Sequence, residues 1–271
     1  MIDQNLNANI TSKIEMSPRV MTLRVAAQGW DLPEFTPGQF AVLGLPGSAP
    51  RAHWSEAEPT PSDPAKMIRR PYSITSSSRN HEYMEFYISM VSTGALTPRL
   101  FALNVGDPIW LGPKVSGMFT LNQVPKEKNI VMVATGTGLA PYISMLTSEL
   151  QCGSPRKFAV LHGAFHSWDL GYRSELQTMQ YLCQNFSYIA TIDRPDDEPV
   201  PWMGKTGWVQ ELWKSGVIAD VWGEKPTPEN TDVFLCGVSG MVNAMMEALT
   251  TEGFVEQTKT TPGQIHVERF A

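Results

Sequence analysis

Asn129-Ile130-Val131-Met132-Val133-Ala134-Thr135-Gly136-Thr137-Gly138-Leu139-Ala140-Pro141 decides the fold. Its first six residues form an unbroken apolar run, the pattern of a strand buried on both faces as in a parallel sheet. The glycines that follow let a backbone approach a pyrophosphate closely. Pro141 suits the first turn of a helix, whose free N–H groups face anionic oxygens. A tight strand-to-helix turn with no ligand has the same pattern, so the motif alone leaves both readings open.

Downstream the same grammar continues. Phe158–Gly163, Tyr188–Ile192 and Val233–Cys236 are further apolar runs. Between them, residues 173–186 place Leu176, Met179 and Cys183 on one stripe, and residues 239–253 do so with Met241, Val242, Met245, Met246 and Leu249. Strand–helix alternation predicts a doubly wound parallel α/β domain over residues 125–271. Upstream, over residues 1–124, the pattern changes. Val20–Val25, Phe40–Leu45, Tyr83–Val91 and Pro108–Leu111 are short strand-like runs. They are punctuated by Pro37-Gly38, Thr93-Gly94, Gly106-Asp107 and Gly112-Pro113. This half predicts an antiparallel β-barrel. Residues 46–66 contain five prolines and little apolar content, and predict a long excursion between two strands.

A chain of 271 residues has room for two domains, and 42% hydrophobic content supports two cores. With 21 basic against 27 acidic residues the net charge is −6, which argues against a nucleic-acid binder. Cys152, Cys183 and Cys236 show neither zinc nor iron–sulfur spacing and fit reduced thiols in a cytoplasm. No metal is expected. The N-terminus lacks a signal pattern, and no apolar run approaches the roughly 18–20 residues that span a bilayer. The expectation is a soluble cytoplasmic protein with no membrane span.

In the first half the chemistry-bearing run is Arg70-Pro71-Tyr72-Ser73. An Arg can neutralise a pyrophosphate with two aligned donors, a Tyr can lie on a ring system, and a Ser can donate to a ring nitrogen. Taken alone, these residues favour a strand with a packed Tyr and a solvated Arg.

With both motifs in this order, the chain resembles the ferredoxin(flavodoxin)–NADP reductase family, especially its bacterial branch, over nearly its whole length. FTPGQF at 35–40, RPYS at 70–73, GALTPRL at 94–100, GTGLAP at 136–141, LCGVSGMV at 235–242 and HVERF at 266–270 carry the resemblance. It implies bound FAD, a nicotinamide dinucleotide (NADP or NAD), and a ferredoxin or flavodoxin as partner. Arg70 and Pro71, helped by the backbone of Gly94, Ala95, Leu96 and Thr97, would hold the FAD pyrophosphate. Tyr72 would stack on the isoalloxazine, Ser73 would sit beside its N5, and Phe270 would cover its other face. Thr135, Gly136, Thr137 and Gly138 would hold the dinucleotide. Cys236, Gly237 and Glu268 would border the nicotinamide. Ser73, Cys236, Glu268 and Phe270 are thus the residues expected at the reacting atoms.

The chain also departs from that family. Two arginines that grip the adenosine 2′-phosphate are replaced by Phe165 and Trp208, leaving Arg194 as the main candidate. NADH use follows as an expectation. Two other readings share the fold: an NADH-dependent reductase component of an oxygenase, and a non-catalytic flavin-fold subunit for regulation or assembly.

Overall fold

The computed structural model of the protein describes residues 6–269. They form two compact units. One runs to Thr120 and includes Ala140–Ser148; the other holds Leu121–Leu139 and the chain from Glu149 onward.

The first unit is antiparallel. Its strands are β1 (Ala8–Ser17), β2 (Val20–Ala27), β3 (Phe40–Pro46), β4 (Met67–Ser73), β5 (Met84–Ser89) and β6 (Pro108–Leu111), in the order β4-β3-β6-β1-β2-β5. The two edges of that sheet meet. A bridge joins Ile74 to Phe86, and Thr75 N donates to Glu85 O at 2.7 Å, which closes the sheet as a barrel. Alternation places Met21, Leu23 and Val25 of β2 inside. A short helix, α1 (Thr97–Phe101), adds Leu100 and Phe101 to the same core. β1 was not legible as a strand. Register breaks between Ile10 and Ser12 and between Glu15 and Ser17 disrupt its alternation, leaving Ile14 on the surface. α2 (Ala140–Glu149) belongs to this unit, where Ser144 Oγ donates to Ser76 O at 2.8 Å.

The second unit is parallel throughout. β7 (Asn129–Thr135), β8 (Phe158–Ala164), β9 (Phe186–Ile192), β10 (Lys205–Thr206), β11 (Thr231–Gly237) and β12 (Ile265–Arg269) stand in the order β10-β9-β8-β7-β11-β12. α3 (Arg173–Leu182), α4 (Val209–Lys214), α5 (Val217–Trp222) and α6 (Ser239–Thr251) connect them. Every residue of β11 is buried, as the apolar run requires. The chain works outward from β7 to β10, then returns to the other side of β7 as β11. The reversal sets a switch point between β7 and β11, where an open α/β sheet takes its ligands.

The expectation of three reduced thiols is not met. Cys152 and Cys183 are disulfide-bonded with Cα atoms 4.6 Å apart, and Cys236 is the free cysteine. Asn185 brings the two loops together. Its Nδ2 donates to Gln151 O and Arg156 O, and its Oδ1 accepts from Gly153 N. Nothing in the spacing of 31 residues announces that meeting. No described helix is long and apolar enough to cross a membrane, and the described residues hold no metal-binding cluster.

Candidate functional site

In the barrel unit, β4 delivers the RPYS run. Period two puts Arg70 and Tyr72 on one face and Arg69, Pro71 and Ser73 on the other. Arg69 stacks on the Trp110 ring at 4.2 Å. Arg70 stays exposed, and its Nη1 donates only to the Arg69 carbonyl at 2.7 Å. Its charge has no carboxylate partner among the described residues, so it can take up an anion. Tyr72 is half-buried against the barrel core; burial pushes its phenol up, against the pull of Arg70, and it stays protonated. Ser73 ends β4 opposite Phe40, and Pro71 faces Val42 in the register.

The turn Gly94–Thr97 lies between β5 and α1. Thr97 Oγ1 accepts from Val91 N at 3.0 Å, and Gly94 N donates to Val91 O at 2.8 Å. The N–H groups of Ala95, Leu96 and Thr97 meet no acceptor among the described residues. A free guanidinium and a row of unpaired amides are the donor set a pyrophosphate needs, so these residues fit FAD.

In the parallel unit the Gly136-Thr137-Gly138-Leu139 segment is a tight 3-10 turn directly after β7. It is pressed against the end of β11. A Cβ on Gly138 would lie 2.1 Å from the Cys236 carbonyl oxygen, and one on Gly237 would lie 2.1 Å from Thr135 Oγ1. Thr135 Oγ1 in turn accepts from Val238 N at 3.0 Å. Next to Gly136, where φ is +53°, a Cβ would meet nothing. The cradle fits a dinucleotide pyrophosphate: closed on the protein side by two glycines, open at the third. Cys236 is fully buried, and its Sγ donates to Glu268 Oε2 at 3.7 Å. Burial pushes the thiol well up, and the Glu268 carboxylate adds to the effect, so Cys236 is an S–H donor rather than a thiolate nucleophile. Phe270 lies outside the described residues.

Three side chains follow three adjacent strands of that sheet. Phe165 follows β8, Arg194 follows β9, and Trp208 follows β10. Arg194 lies over the Phe165 ring at 4.7 Å, and its backbone N donates to Phe165 O at 3.0 Å. Phe165 and Trp208 are 53% and 65% exposed, leaving apolar rings where the family resemblance leads one to expect cations. Arg173 lies over the Trp202 ring at 4.5 Å.

Sequence reasoning passed over His162. It pairs in register with Ala134, two residues before the glycine turn, and is fully buried with Nδ1 3.1 Å from the Tyr188 hydroxyl. Burial lowers its pKa from 6.5 to about 4, so it is neutral at physiological pH. The unfolded chain takes up a proton near 6.5 and the folded one does not until about 4, so stability falls as pH drops through that window. The loss reaches up to about 3 kcal/mol. Melting curves from pH 7 to 4 should show a steeper decline for the parent than for His162→Gln; equal slopes would clear His162 of that role.

The family described as the oxidoreductase NAD-binding domain matches residues 132–247. The flavodoxin/ferredoxin–NADP reductase of Escherichia coli is 31% identical over 208 residues, covering 77% of this chain and 76% of its own. That of Buchnera aphidicola is 27% identical over 237 residues, covering 87% and 88%. Among solved structures, a ferredoxin NADP+ reductase from Neisseria gonorrhoeae with bound FAD and NADP superposes at a TM-score of 0.78, with 22% identity over 97% of each chain. The structural match speaks for the fold; the Escherichia coli relative, at 31% identity over 77% of this chain, speaks for descent: the chain belongs to the flavodoxin/ferredoxin–NADP reductase family.

Proposed function

We propose that this protein is an FAD-dependent oxidoreductase that carries electrons between a nicotinamide dinucleotide and a ferredoxin or flavodoxin. FAD, when bound, exchanges a hydride with the nicotinamide and single electrons with the carrier. The chain supplies binding and orientation. Arg70 and the amides of Ala95, Leu96 and Thr97 would hold the flavin pyrophosphate, and Tyr72 and Ser73 would flank its ring system. The turn Gly136–Gly138 would hold the dinucleotide, with Cys236 and Glu268 at its nicotinamide end. Phe165 and Trp208 in place of cations support use of NADH alongside NADPH. The reading extends to the cytoplasm, where both dinucleotides and their one-electron carriers are found.

Within the family, the observation that carries this reading is Arg70, whose guanidinium has no carboxylate partner among the described residues. Arg70→Ala should raise the FAD dissociation constant about 10- to 150-fold, the loss of one charge-assisted contact of roughly 1.5–3 kcal/mol. An unchanged constant would remove Arg70 from the site. Anaerobic reduction of the purified flavoprotein by NADH and NADPH, followed by transfer to ferredoxin or flavodoxin, tests the activity. A protein whose flavin no pyridine nucleotide bleaches would sink it in favour of the regulatory subunit.

A further inference from the structure

Residues 47–66, the excursion between β3 and β4, are tied at the neck, where Gly47 N donates to Lys66 O at 2.8 Å. From there they fold onto the turn that precedes α1. Arg51 Nη1 donates to Gly94 O at 2.7 Å, and its Nη2 to Ser92 O at 3.1 Å. Ala52 N donates to Pro98 O at 2.9 Å, and Glu56 N to Ser92 Oγ at 3.0 Å. The Trp54 ring meets Phe101 edge-on at 5.8 Å. Arg99, within α1, reaches back: its side chain is 5% exposed, Nη2 donates to Gly47 O at 2.6 Å, and Nη1 donates to Ala95 O.

Glu58 joins the two arginines. Its Oε1 accepts from Arg51 Nη1 at 2.9 Å and from Arg99 Nη1, while its Oε2 accepts from Ser62 N at 2.7 Å. Burial alone would raise this carboxyl, but Arg99 and the Ser62 amide hold it down to about 2, so it is charged at any working pH. Two guanidiniums converging in a largely dry site would repel without that charge between them. With it in place, the carbonyls of Ser92, Gly94, Ala95 and Pro98 are all engaged from the excursion and from Arg99. The N–H groups of Ala95, Leu96 and Thr97, unpaired among the described residues, are the edge left for an anion.

We propose that residues 47–66 are a clamp that holds the Gly94–Thr97 turn in its pyrophosphate-binding form, and that Glu58 is its positioning residue. The inference rests on reading that turn as part of the FAD site. The test uses full-length protein stripped of FAD and then titrated with it, following flavin fluorescence and the rise in Tm that FAD produces. Glu58→Gln should weaken FAD binding about tenfold or more, the scale of a lost charge-assisted contact. It should also shrink the FAD-induced rise in Tm. Arg51→Lys keeps the charge but cannot reach Glu58, Gly94 O and Ser92 O together, and should weaken FAD in the same direction. It carries the test if Glu58→Gln does not fold. A lowered apoprotein Tm with an unchanged FAD dissociation constant in both variants would make the excursion a mere strap and overturn the clamp. A parent protein that takes up no FAD would instead overturn the flavin reading beneath it.

Discussion

Gly138→Ala is expected to cut the reduction of bound flavin by pyridine nucleotide by about a hundredfold or more, the cost of roughly 1 Å of misplacement at a reacting site. The flavin itself should stay bound. An added Cβ would stand 2.1 Å from the Cys236 carbonyl oxygen, 2.6 Å from its carbon and 2.9 Å from Gly237 N. All three are backbone atoms of a buried strand, so no side chain can swing aside and the turn itself must lift away from β11. Gly136→Ala is the control. It adds the same methyl group two residues earlier, where nothing lies within 4 Å and only the positive φ of +53° is strained. That costs about 1–2 kcal/mol and should lower the rate about 30-fold at most. Stopped-flow reduction of both variants, with the flavin spectrum as a check on the other unit, gives the comparison. Equal rates for the two would mean that the turn is not the nucleotide cradle.

The contrast between those glycines shows where sequence reading stops. The GTG pattern marks both alike, because it encodes a tight turn; which glycine touches the neighbouring strand depends on the order β7-β11. That order is a matter of long-range pairing, and no residue spells it out. The apolar runs of β7, β8, β9 and β11 were legible because burial on both faces leaves no polar position to blur them. β1 was hidden by its register breaks, and β10, with two exposed residues, has no pattern to show. The 46–66 segment was legible as an excursion from its prolines. Its attachment was not, because Arg51, Glu58 and Arg99 are ordinary charged residues until the fold sets them in contact. The disulfide stayed hidden for the same reason.

On the proposed reading, cofactor choice follows from the β10 side of the same end of the parallel sheet. NADPH differs from NADH by a 2′-phosphate that carries close to two negative charges at neutral pH. A pocket that selects it needs cations within hydrogen-bond reach, and each charge-assisted contact is worth roughly 1.5–3 kcal/mol, or about 10- to 150-fold in affinity. Here the loops after β8, β9 and β10 present Phe165, Arg194 and Trp208. Only one of the three is a cation, and it already lies over the Phe165 ring at 4.7 Å. That stacking can orient Arg194 but adds no charge, while the exposed rings suit an adenine face better than a phosphate. The expected result is appreciable NADH turnover and an NADPH preference weaker than two further arginines would give. Phe165→Arg replaces the ring under Arg194 with a second guanidinium. Two like charges side by side repel until an anion lies between them, so the gain should fall on NADPH alone, shifting the ratio of kcat/KM toward it by about 10- to 150-fold. Arg194→Ala should shift the ratio the other way by a similar factor, with the NADH value nearly unchanged. The measurement is that ratio in the parent and both variants at fixed ionic strength, since exposed charges are screened. A parent ratio favouring NADPH by more than about a thousandfold, some 4 kcal/mol, would mean that another group grips the phosphate and that Phe165 and Trp208 do not set the preference.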